Sequence, residues 1–112
     1  MYLPGFAQSN DSTMNVSELI EKINSDTTLI VLDVRTPEEL VGQLGKLDDV
    51  INIPVQELEK RNHELDNYKN KEIAVICRTG YRSHLATLYL NQHGFKAKNV
   101  LGGMVEYRKE FK

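Results

Sequence analysis

The chain has 112 residues, a length that suits one compact domain with a single hydrophobic core. Its hydrophobic content of 40% and charged content of 27% are close to the averages of soluble globular proteins. A net charge of -2 argues against a phosphate-binding surface for nucleic acid, and no apolar run reaches the roughly 18 to 20 residues that a membrane span needs.

The amino-terminal segment, residues 1–13, mixes proline, glycine and small polar residues with scattered apolar ones. We expect it to form a flexible arm or one short edge strand, ahead of a domain over residues 14–112. Asn15 followed by Glu18 is a capping-box pattern. Apolar residues then recur at helical spacing and predict a short amphipathic helix: Val16, Leu19, Ile20 and Ile23.

Two strand patterns and a helix start follow. Residues 28–34 form a continuous aliphatic and β-branched run, typical of a central strand that is covered on both faces in a parallel sheet. Thr36 and Pro37 supply an N-cap and a first helical residue, so a short helix is predicted there. A further strand is predicted at residues 50–53, which Pro54 ends.

The second half of the chain continues the alternation of strands and helices. Residues 55–68 are predicted to form a surface helix, and residues 73–76 a buried strand that leads directly into Cys77. The remaining predicted elements are a helix ended by Gly94, a strand at 97–101, a turn at Gly102 and Gly103, and a closing helix at 104–111. This alternation predicts an α/β fold with a mainly parallel sheet, and ligands of such sheets bind outside the carboxyl ends of the strands, where Cys77 lies.

Cys77 is the only cysteine, so it can form no internal disulfide and is either a packed side chain or a reactive thiol. We expect a reducing, cytoplasmic setting. Arg78, Gly80 and Arg82 follow it, and a helix begins next, features that a packing cysteine does not need. Between residues 73 and 105 there is no Asp or Glu, so the cysteine lies in a local positive field. The pattern predicts a reactive thiol that faces a small anionic ligand.

The predicted position of the loop also favours a thiolate. A strand that ends in a short loop before a helix leaves backbone N–H groups unpaired, and the helix dipole adds partial positive charge. If the loop begins at Cys77 and closes at Arg82, these amides surround the sulfur. Gly80 permits the positive φ that such a tight turn of the backbone requires. We therefore expect the pKa of Cys77 to be lowered.

The loop Cys77-Arg78-Thr79-Gly80-Tyr81-Arg82 resembles the Cys-x-x-Gly-x-Arg active-site loop of the rhodanese family. Three further segments resemble that family's Asp-Val-Arg-x-x-x-Glu, Asn-Ile-Pro and closing Gly-Gly motifs: residues 32–39, 51–54 and 101–103. The resemblance spans residues 16–111. It implies a rhodanese-like three-layer domain, in which a central, mainly parallel sheet of about four to five strands is flanked by helices.

The resemblance also implies an enzyme of the thiosulfate sulfurtransferase (rhodanese) type. Cys77 would take a sulfane sulfur from thiosulfate or another persulfide donor, hold it as a persulfide, and pass it to a thiol, cyanide or a protein acceptor. The rest of the loop is expected to bind the donor and stabilise the persulfide: Arg78, Thr79, Gly80, Tyr81, Arg82 and Ser83. We expect a monomer that uses no metal and no cofactor.

Residues outside the loop are predicted to support it. Asp33 is expected to anchor Arg82 by a charged hydrogen bond while Arg35 braces the sheet edge, although an ordinary surface ion pair is the alternative. Ser83 is interpreted as an N-cap of the following helix whose hydroxyl and amide also face the sulfur. His84 follows the loop directly in the sequence and could serve as a proton donor, but a solvent-facing histidine in a first helical turn more often has no catalytic role.

Other functions stay open at the level of sequence. The same persulfide could be handed only to a dedicated protein partner, or Cys77 could act as a redox sensor. Phosphatases and arsenate reductases of a related fold have a longer loop between Cys and Arg, which surrounds a tetrahedral oxyanion. Only four residues separate Cys77 from Arg82 here, and this smaller ring favours sulfur over phosphate.

Overall fold

The computed structural model describes residues 12–111. Within this part of the chain five strands are present, β1 (Thr13–Met14), β2 (Ile30–Asp33), β3 (Ile51–Asn52), β4 (Glu72–Ile76) and β5 (Lys96–Val100). The helices are α1 (Val16–Ser25), α2 (Pro37–Leu40), α3 (Leu58–Arg61), α4 (Tyr81–Gln92) and α5 (Gly103–Glu110). The strands form one parallel sheet in the order β1-β5-β4-β2-β3. The predicted α/β fold with a parallel sheet is confirmed.

The two helix starts that were predicted from capping residues, at Asn15 and Thr36, have the hydrogen bonds of a capping box. The Asn15 side chain accepts the backbone N–H of Glu18 at 2.8 Å, and the Glu18 carboxylate accepts the backbone N–H of Asn15 at 3.0 Å. Thr36 and Glu39 exchange the same pair of bonds at 3.3 and 3.0 Å, with Pro37 as the first residue of α2. Local sequence therefore fixes where these helices begin, because the caps satisfy N–H groups that have no partner within the helix.

The middle strand, β4, separates two hydrophobic cores. Ile73 and Val75 point to one face, where they pack with α3 and α4, whereas Ala74 and Ile76 point to the other, where they pack with α1 and α5. All four side chains are fully buried. Since both faces of the sheet are covered by helices, the strand needs apolar residues at every position, which explains its unbroken hydrophobic run.

The segment predicted as one surface helix over residues 55–68 has a different structure. It consists of a 3₁₀ turn at Val55–Glu57, the short helix α3, and a second 3₁₀ segment at Asn62–Tyr68. The Asn62 side chain donates to the Glu59 carbonyl at 2.9 Å and to the Tyr89 hydroxyl at 3.0 Å. The bond to the Glu59 carbonyl competes with the regular backbone hydrogen bonds of a helix, so the continuous helix is interrupted.

The amino-terminal boundary is an edge strand. Thr13 and Met14 pair with Asn99 and Val100 of β5, which agrees with one of the two expectations for this segment. The remainder of the predicted arm, residues 1–11, lies outside the described residues. Between residues 12 and 111, no helix is long and apolar enough to cross a membrane.

The core makes a prediction about stability. Ile73 is fully buried in the middle strand, so Ile73→Ala should lower the free energy of unfolding by about 2 to 5 kcal/mol through lost burial and a residual cavity. Ile23 on α1 is 38% exposed, and Ile23→Ala should cost less than about 1 kcal/mol. Urea denaturation followed by circular dichroism measures both. Equal losses in the two variants would contradict this assignment of the core.

Candidate active site

The loop that begins at Cys77 lies at the carboxyl end of the middle strand. It connects β4 to α4, and Gly80, with φ of 113°, is the N-cap residue of that helix. This left-handed backbone turns the chain sharply from the strand into the helix and would be strained for a residue with a side chain. The loop therefore occupies the edge of the sheet at which parallel α/β folds bind their ligands.

Hydrogen-bond donors converge on the sulfur of Cys77, which is only 1% exposed. The backbone N–H of Gly80 lies 3.1 Å from Sγ and that of Ser83 lies 3.4 Å away, while the Ser83 hydroxyl oxygen is at 3.2 Å. Burial raises the pKa of the thiol, but hydrogen bonds from the Ser83 side chain and from the backbone amides of Ser83, Gly80 and Thr79 outweigh it. The pKa of Cys77 is therefore held below its ordinary value.

Ser83 was expected as an N-cap, and this expectation is wrong. The helix begins two residues earlier, at Tyr81, so Ser83 lies within its first turn. Its side chain is fully buried and contacts the Cys77 sulfur and the Asn99 side chain, whose Oδ1 accepts the Ser83 hydroxyl at 2.5 Å. The predicted approach of its hydroxyl and amide to the sulfur is present.

Arg82 is anchored by Glu39 and not, as expected, by Asp33. The guanidinium donates to both carboxylate oxygens of Glu39, at 2.7 and 2.9 Å. Asp33 instead binds Arg35, at 2.7 Å between Oδ2 and Nη2, with both side chains buried. The physical reason is proximity along the chain, because Arg35 folds back onto the carboxylate two residues before it and occupies its acceptor positions.

The Asp33–Arg35 pair connects β2 to the loop through α2. Arg35 also donates to the Gly45 carbonyl at 2.8 Å and to the Glu39 carbonyl at 3.4 Å. The Asn52 side chain donates to the backbone carbonyls of Asp33 and Arg35, at 2.9 and 2.8 Å. The end of β2 is thus fixed on several sides, and Glu39 is held where its carboxylate meets Arg82.

The amino end of α5 packs directly on the Cys77 loop. Met104 N–H donates to the Cys77 carbonyl at 2.9 Å, and Val105 N–H donates to the Arg78 carbonyl at 3.0 Å. A Cβ atom on Gly103 would lie 2.5 Å from the Cys77 carbonyl oxygen, so the approach requires glycine there. The double glycine of the sequence therefore permits this contact.

The outer side of the loop is open to solvent. Arg78 and Thr79 are exposed, Tyr81 is 70% exposed, and His84 also faces solvent. Among residues 12–111, Arg78 forms no ion pair, in contrast to Arg82. The same part of the chain contains no group of three His, Cys, Asp or Glu side chains that could hold a metal ion. The site thus combines the buried Cys77 sulfur with an adjacent arginine, Arg78, that forms no ion pair within the described part of the chain.

Sequence reasoning missed two residues that shape the site. Glu39 was given no role in the site, although it ends the segment that resembles the Asp-Val-Arg-x-x-x-Glu motif. Asn99 was not considered, yet it is 4% exposed and binds Ser83 and the Gly80 carbonyl. The available signal was an asparagine within a predicted strand, since asparagine is uncommon in strands and a buried polar group needs partners.

The Glu39–Arg82 pair predicts a pH-dependent effect on stability. The hydrogen bonds from Arg82 lower the pKa of Glu39 from 4.5 to about 2, so the pair stabilises the fold above pH 4.5 and this contribution is lost as the pH falls towards 2. Glu39→Gln should therefore lower the free energy of unfolding at pH 7 by about 1 kcal/mol, because the pair is partly screened by solvent. The difference from wild type should shrink between pH 4.5 and pH 3.

Glu57→Gln is the matched control, because Glu57 pairs with Arg61 on the surface, where its side chain is 50% exposed, and should change stability little. Chemical denaturation at several pH values measures both variants. A Glu39→Gln effect that stayed constant down to pH 3 would show that the charge of Glu39 is not its cause.

The donors around the sulfur predict the titration of Cys77. The midpoint of its alkylation rate against pH should lie below the ~8.5 of an unperturbed thiol. Because Cys77 is the only cysteine, the urea-unfolded protein is a direct control, and its midpoint should return to the ordinary value. Identical midpoints in the folded and unfolded protein would contradict a stabilised thiolate.

Comparisons with known proteins agree with the fold. The Rhodanese-like domain family model matches residues 15–110. The chain is 36% identical over 99 residues to "Putative sulfurtransferase YtwF" of Bacillus subtilis, covering 88% of this chain and 92% of that protein. It is 35% identical over 109 residues to "Putative sulfur carrier protein YrkF" of the same organism, covering 92% of this chain and 57% of that one.

A solved structure supports the same assignment. The crystal structure of a rhodanese-related protein from Thermoplasma volcanium superposes with a TM-score of 0.79 at 36% identity, and the match covers 88% of this chain and 92% of that one. The likeness therefore extends over nearly the whole described part of the chain. The chain belongs to the rhodanese-like domain family.

Proposed function

We propose that this protein is a thiosulfate-type sulfurtransferase that carries a sulfane sulfur as a persulfide on Cys77. The observation that carries the proposal is the buried Cys77 sulfur at the end of β4, which the backbone N–H groups of Gly80 and Ser83 approach at 3.1 and 3.4 Å. Membership of the family supports sulfur transfer in general. The sulfurtransferase name of YtwF, a relative matched over most of its length, points the same way.

In the first half-reaction the Cys77 thiolate attacks the outer sulfur of thiosulfate. The bond between the two sulfurs of the donor breaks, sulfite leaves with the electron pair, and a new S–S bond forms the Cys77 persulfide. The loop amides stabilise the negative charge that develops on the outer sulfur. Arg78, exposed and without an ion pair among the described residues, recruits the anionic donor.

In the second half-reaction an acceptor attacks the outer sulfur of the persulfide. The S–S bond breaks and Cys77 leaves as a thiolate with the electron pair. Cyanide would give thiocyanate, and a thiolate acceptor would itself become a persulfide. Arg82 contributes by holding the loop in shape, since its guanidinium is bound by Glu39, and its positive charge still favours the nearby thiolate.

The size of the loop favours sulfur over phosphate as the transferred group. Four residues separate Cys77 from Arg82, and the amides of Gly80 and Ser83 already point at the Cys77 sulfur itself. A tetrahedral phosphoryl group needs a wider ring of donors directed at its oxygens, and misplaced donors lose most of their effect on a transition state. We therefore infer that the protein lacks phosphatase and arsenate reductase activity.

A second candidate function is a relay in which the persulfide goes only to one protein partner. The relative YrkF carries the name of a sulfur carrier protein. The rim of the site is also suited to protein contact, because Tyr81 in the loop is 70% exposed and Leu101, next to the Gly102 turn, is 48% exposed. A relay would use the same Cys77 persulfide but would react slowly with cyanide.

The test of both functions is the intact mass after exposure to thiosulfate. Wild type should gain the mass of one sulfur atom, whereas Cys77→Ser should gain none and should lose sulfur transfer completely, because a hydroxyl holds no stable persulfide. Ser is close in size to Cys, so the variant should keep the circular dichroism spectrum and thermal midpoint of wild type. Sulfur transfer by the folded Cys77→Ser variant above background would remove Cys77 from the mechanism.

The rate of turnover separates the candidates. Thiocyanate formation from thiosulfate and cyanide over many cycles supports the enzyme, whereas persulfide formation followed by negligible release to cyanide supports the relay. Hydrolysis of an aryl phosphate faster than sulfur transfer from thiosulfate would overturn both and favour a phosphatase.

A further inference from the structure

The orientation of the Asn99 side chain is fixed by its neighbours. One end of the amide lies 3.2 Å from the backbone carbonyl of Gly80, which can only accept a hydrogen bond, so this end must be the donor Nδ2. The other end is therefore Oδ1, and it lies 2.5 Å from the hydroxyl oxygen of Ser83. Because Oδ1 has no hydrogen, the Ser83 hydroxyl must be the donor in this contact.

Ser83 has one hydroxyl proton and two neighbouring acceptors. Its oxygen lies 2.5 Å from Asn99 Oδ1 and 3.2 Å from Cys77 Sγ. When the proton points to Asn99, the hydroxyl can only accept from the sulfur, which suits a protonated thiol. When Cys77 is a thiolate, the hydroxyl stabilises it only by turning its proton to the sulfur and leaving Asn99.

We propose that Asn99 is a positioning residue that competes with the Cys77 sulfur for the single hydroxyl proton of Ser83 and so limits how strongly the loop holds the thiolate. Ionisation of Cys77 breaks the bond between Ser83 and Asn99 and leaves Oδ1 of a side chain that is only 4% exposed without its donor. This cost is subtracted from the stabilisation that the hydroxyl gives to the sulfur. A moderated thiolate remains a better nucleophile than one that is stabilised as far as possible.

The competition for the Ser83 proton does not depend on the hydrogen bond from Asn99 Nδ2 to the Gly80 carbonyl. The Gly80 carbonyl also accepts the backbone N–H of His84 at 3.1 Å, so it keeps a partner when the Asn99 side chain is removed. The freed Ser83 hydroxyl keeps the sulfur as an acceptor. Removal of the Asn99 side chain should therefore leave the Gly80 carbonyl and the Ser83 hydroxyl with hydrogen-bond partners. The Ser83 hydroxyl could then donate to the Cys77 thiolate without a competing acceptor.

Charged and titratable groups on the elements around the loop must stay constant in a test. They are Arg78, Arg82 and His84 in the loop and α4, Glu39 on α2, the Asp33–Arg35 pair at the end of β2, and Glu106 on α5. A double-mutant cycle in Ser83 and Asn99 changes none of them, so their contributions cancel in the coupling.

The experiment is the pH midpoint of Cys77 alkylation by iodoacetamide in wild type, Asn99→Ala, Ser83→Ala and the double variant. With Ser83 present, Asn99→Ala should lower the midpoint by about half a unit to one unit relative to its effect in the Ser83→Ala background, the size of one net hydrogen bond. The Ser83→Ala background measures any effect of the lost contact to Gly80. Equal shifts in both backgrounds, or a coupling of opposite sign, would overturn the proposal.

Folding is checked first by circular dichroism. Asn99→Val, which suits a strand and has no hydrogen-bonding group in its side chain, replaces Asn99→Ala if that variant unfolds.

The wild-type protein allows a second test that needs no substitution. The NMR shift of the Asn99 side-chain carbonyl carbon should titrate together with Cys77, because Oδ1 loses its donor. A carbonyl signal that did not change through the Cys77 midpoint would equally overturn the competition.

The inference rests on Cys77 as the reacting thiolate of the proposed function, but its test needs no sulfur donor. Absence of persulfide in a protein that shows the expected coupling would refute sulfur transfer alone. Normal persulfide formation without coupling would refute the role of Asn99 alone.

Discussion

The close contact between the Cys77 loop and the start of α5 is the constraint on which the site depends. The carbonyls of Cys77 and Arg78 accept the backbone N–H groups of α5, and this approach is possible only because Gly103 has no side chain. In a trans peptide the carbonyl and the following N–H point in opposite directions. Binding the Arg78 carbonyl to α5 therefore turns the N–H of Thr79 away from that helix and towards the sulfur, where it helps to lower the pKa of Cys77.

The charged residues around the loop act mainly as braces. The buried Asp33–Arg35 pair fixes the end of β2, and Arg35 also holds the backbone of the helix that carries Glu39. Glu39 then fixes Arg82 through two parallel hydrogen bonds, a geometry that specifies direction as well as charge. Removing one member of the buried pair would leave an unpaired charge, which is strongly destabilising. These ion pairs hold the backbone of the loop in the conformation in which its neutral N–H groups bind the Cys77 sulfur.

Much of the fold could be predicted because its determinants are local. The caps of α1 and α2 involve residues three apart, and the apolar run of β4 shows burial on both faces without knowledge of its partners. The position of Cys77 between a strand and a helix placed it at the ligand-binding edge of a parallel sheet. The interruption of the helix predicted over residues 55–68 was not foreseen, because the Asn62 side chain that binds the Glu59 carbonyl is also bound by Tyr89 on another helix.

By itself, the sequence determined the order of the strands, the place of Cys77 at the end of β4 and the loop that follows it, since each follows from neighbouring residues and their spacing. Only the tertiary structure decided that Glu39 binds Arg82, because the two residues are 43 positions apart in the chain and folding alone brings α2 to the loop. Asn99 also entered the site only through folding. Parallel pairing of β5 with β4 brings the side-chain amide of Asn99 to the loop. There the hydroxyl proton of Ser83 has two possible acceptors, Asn99 Oδ1 and Cys77 Sγ.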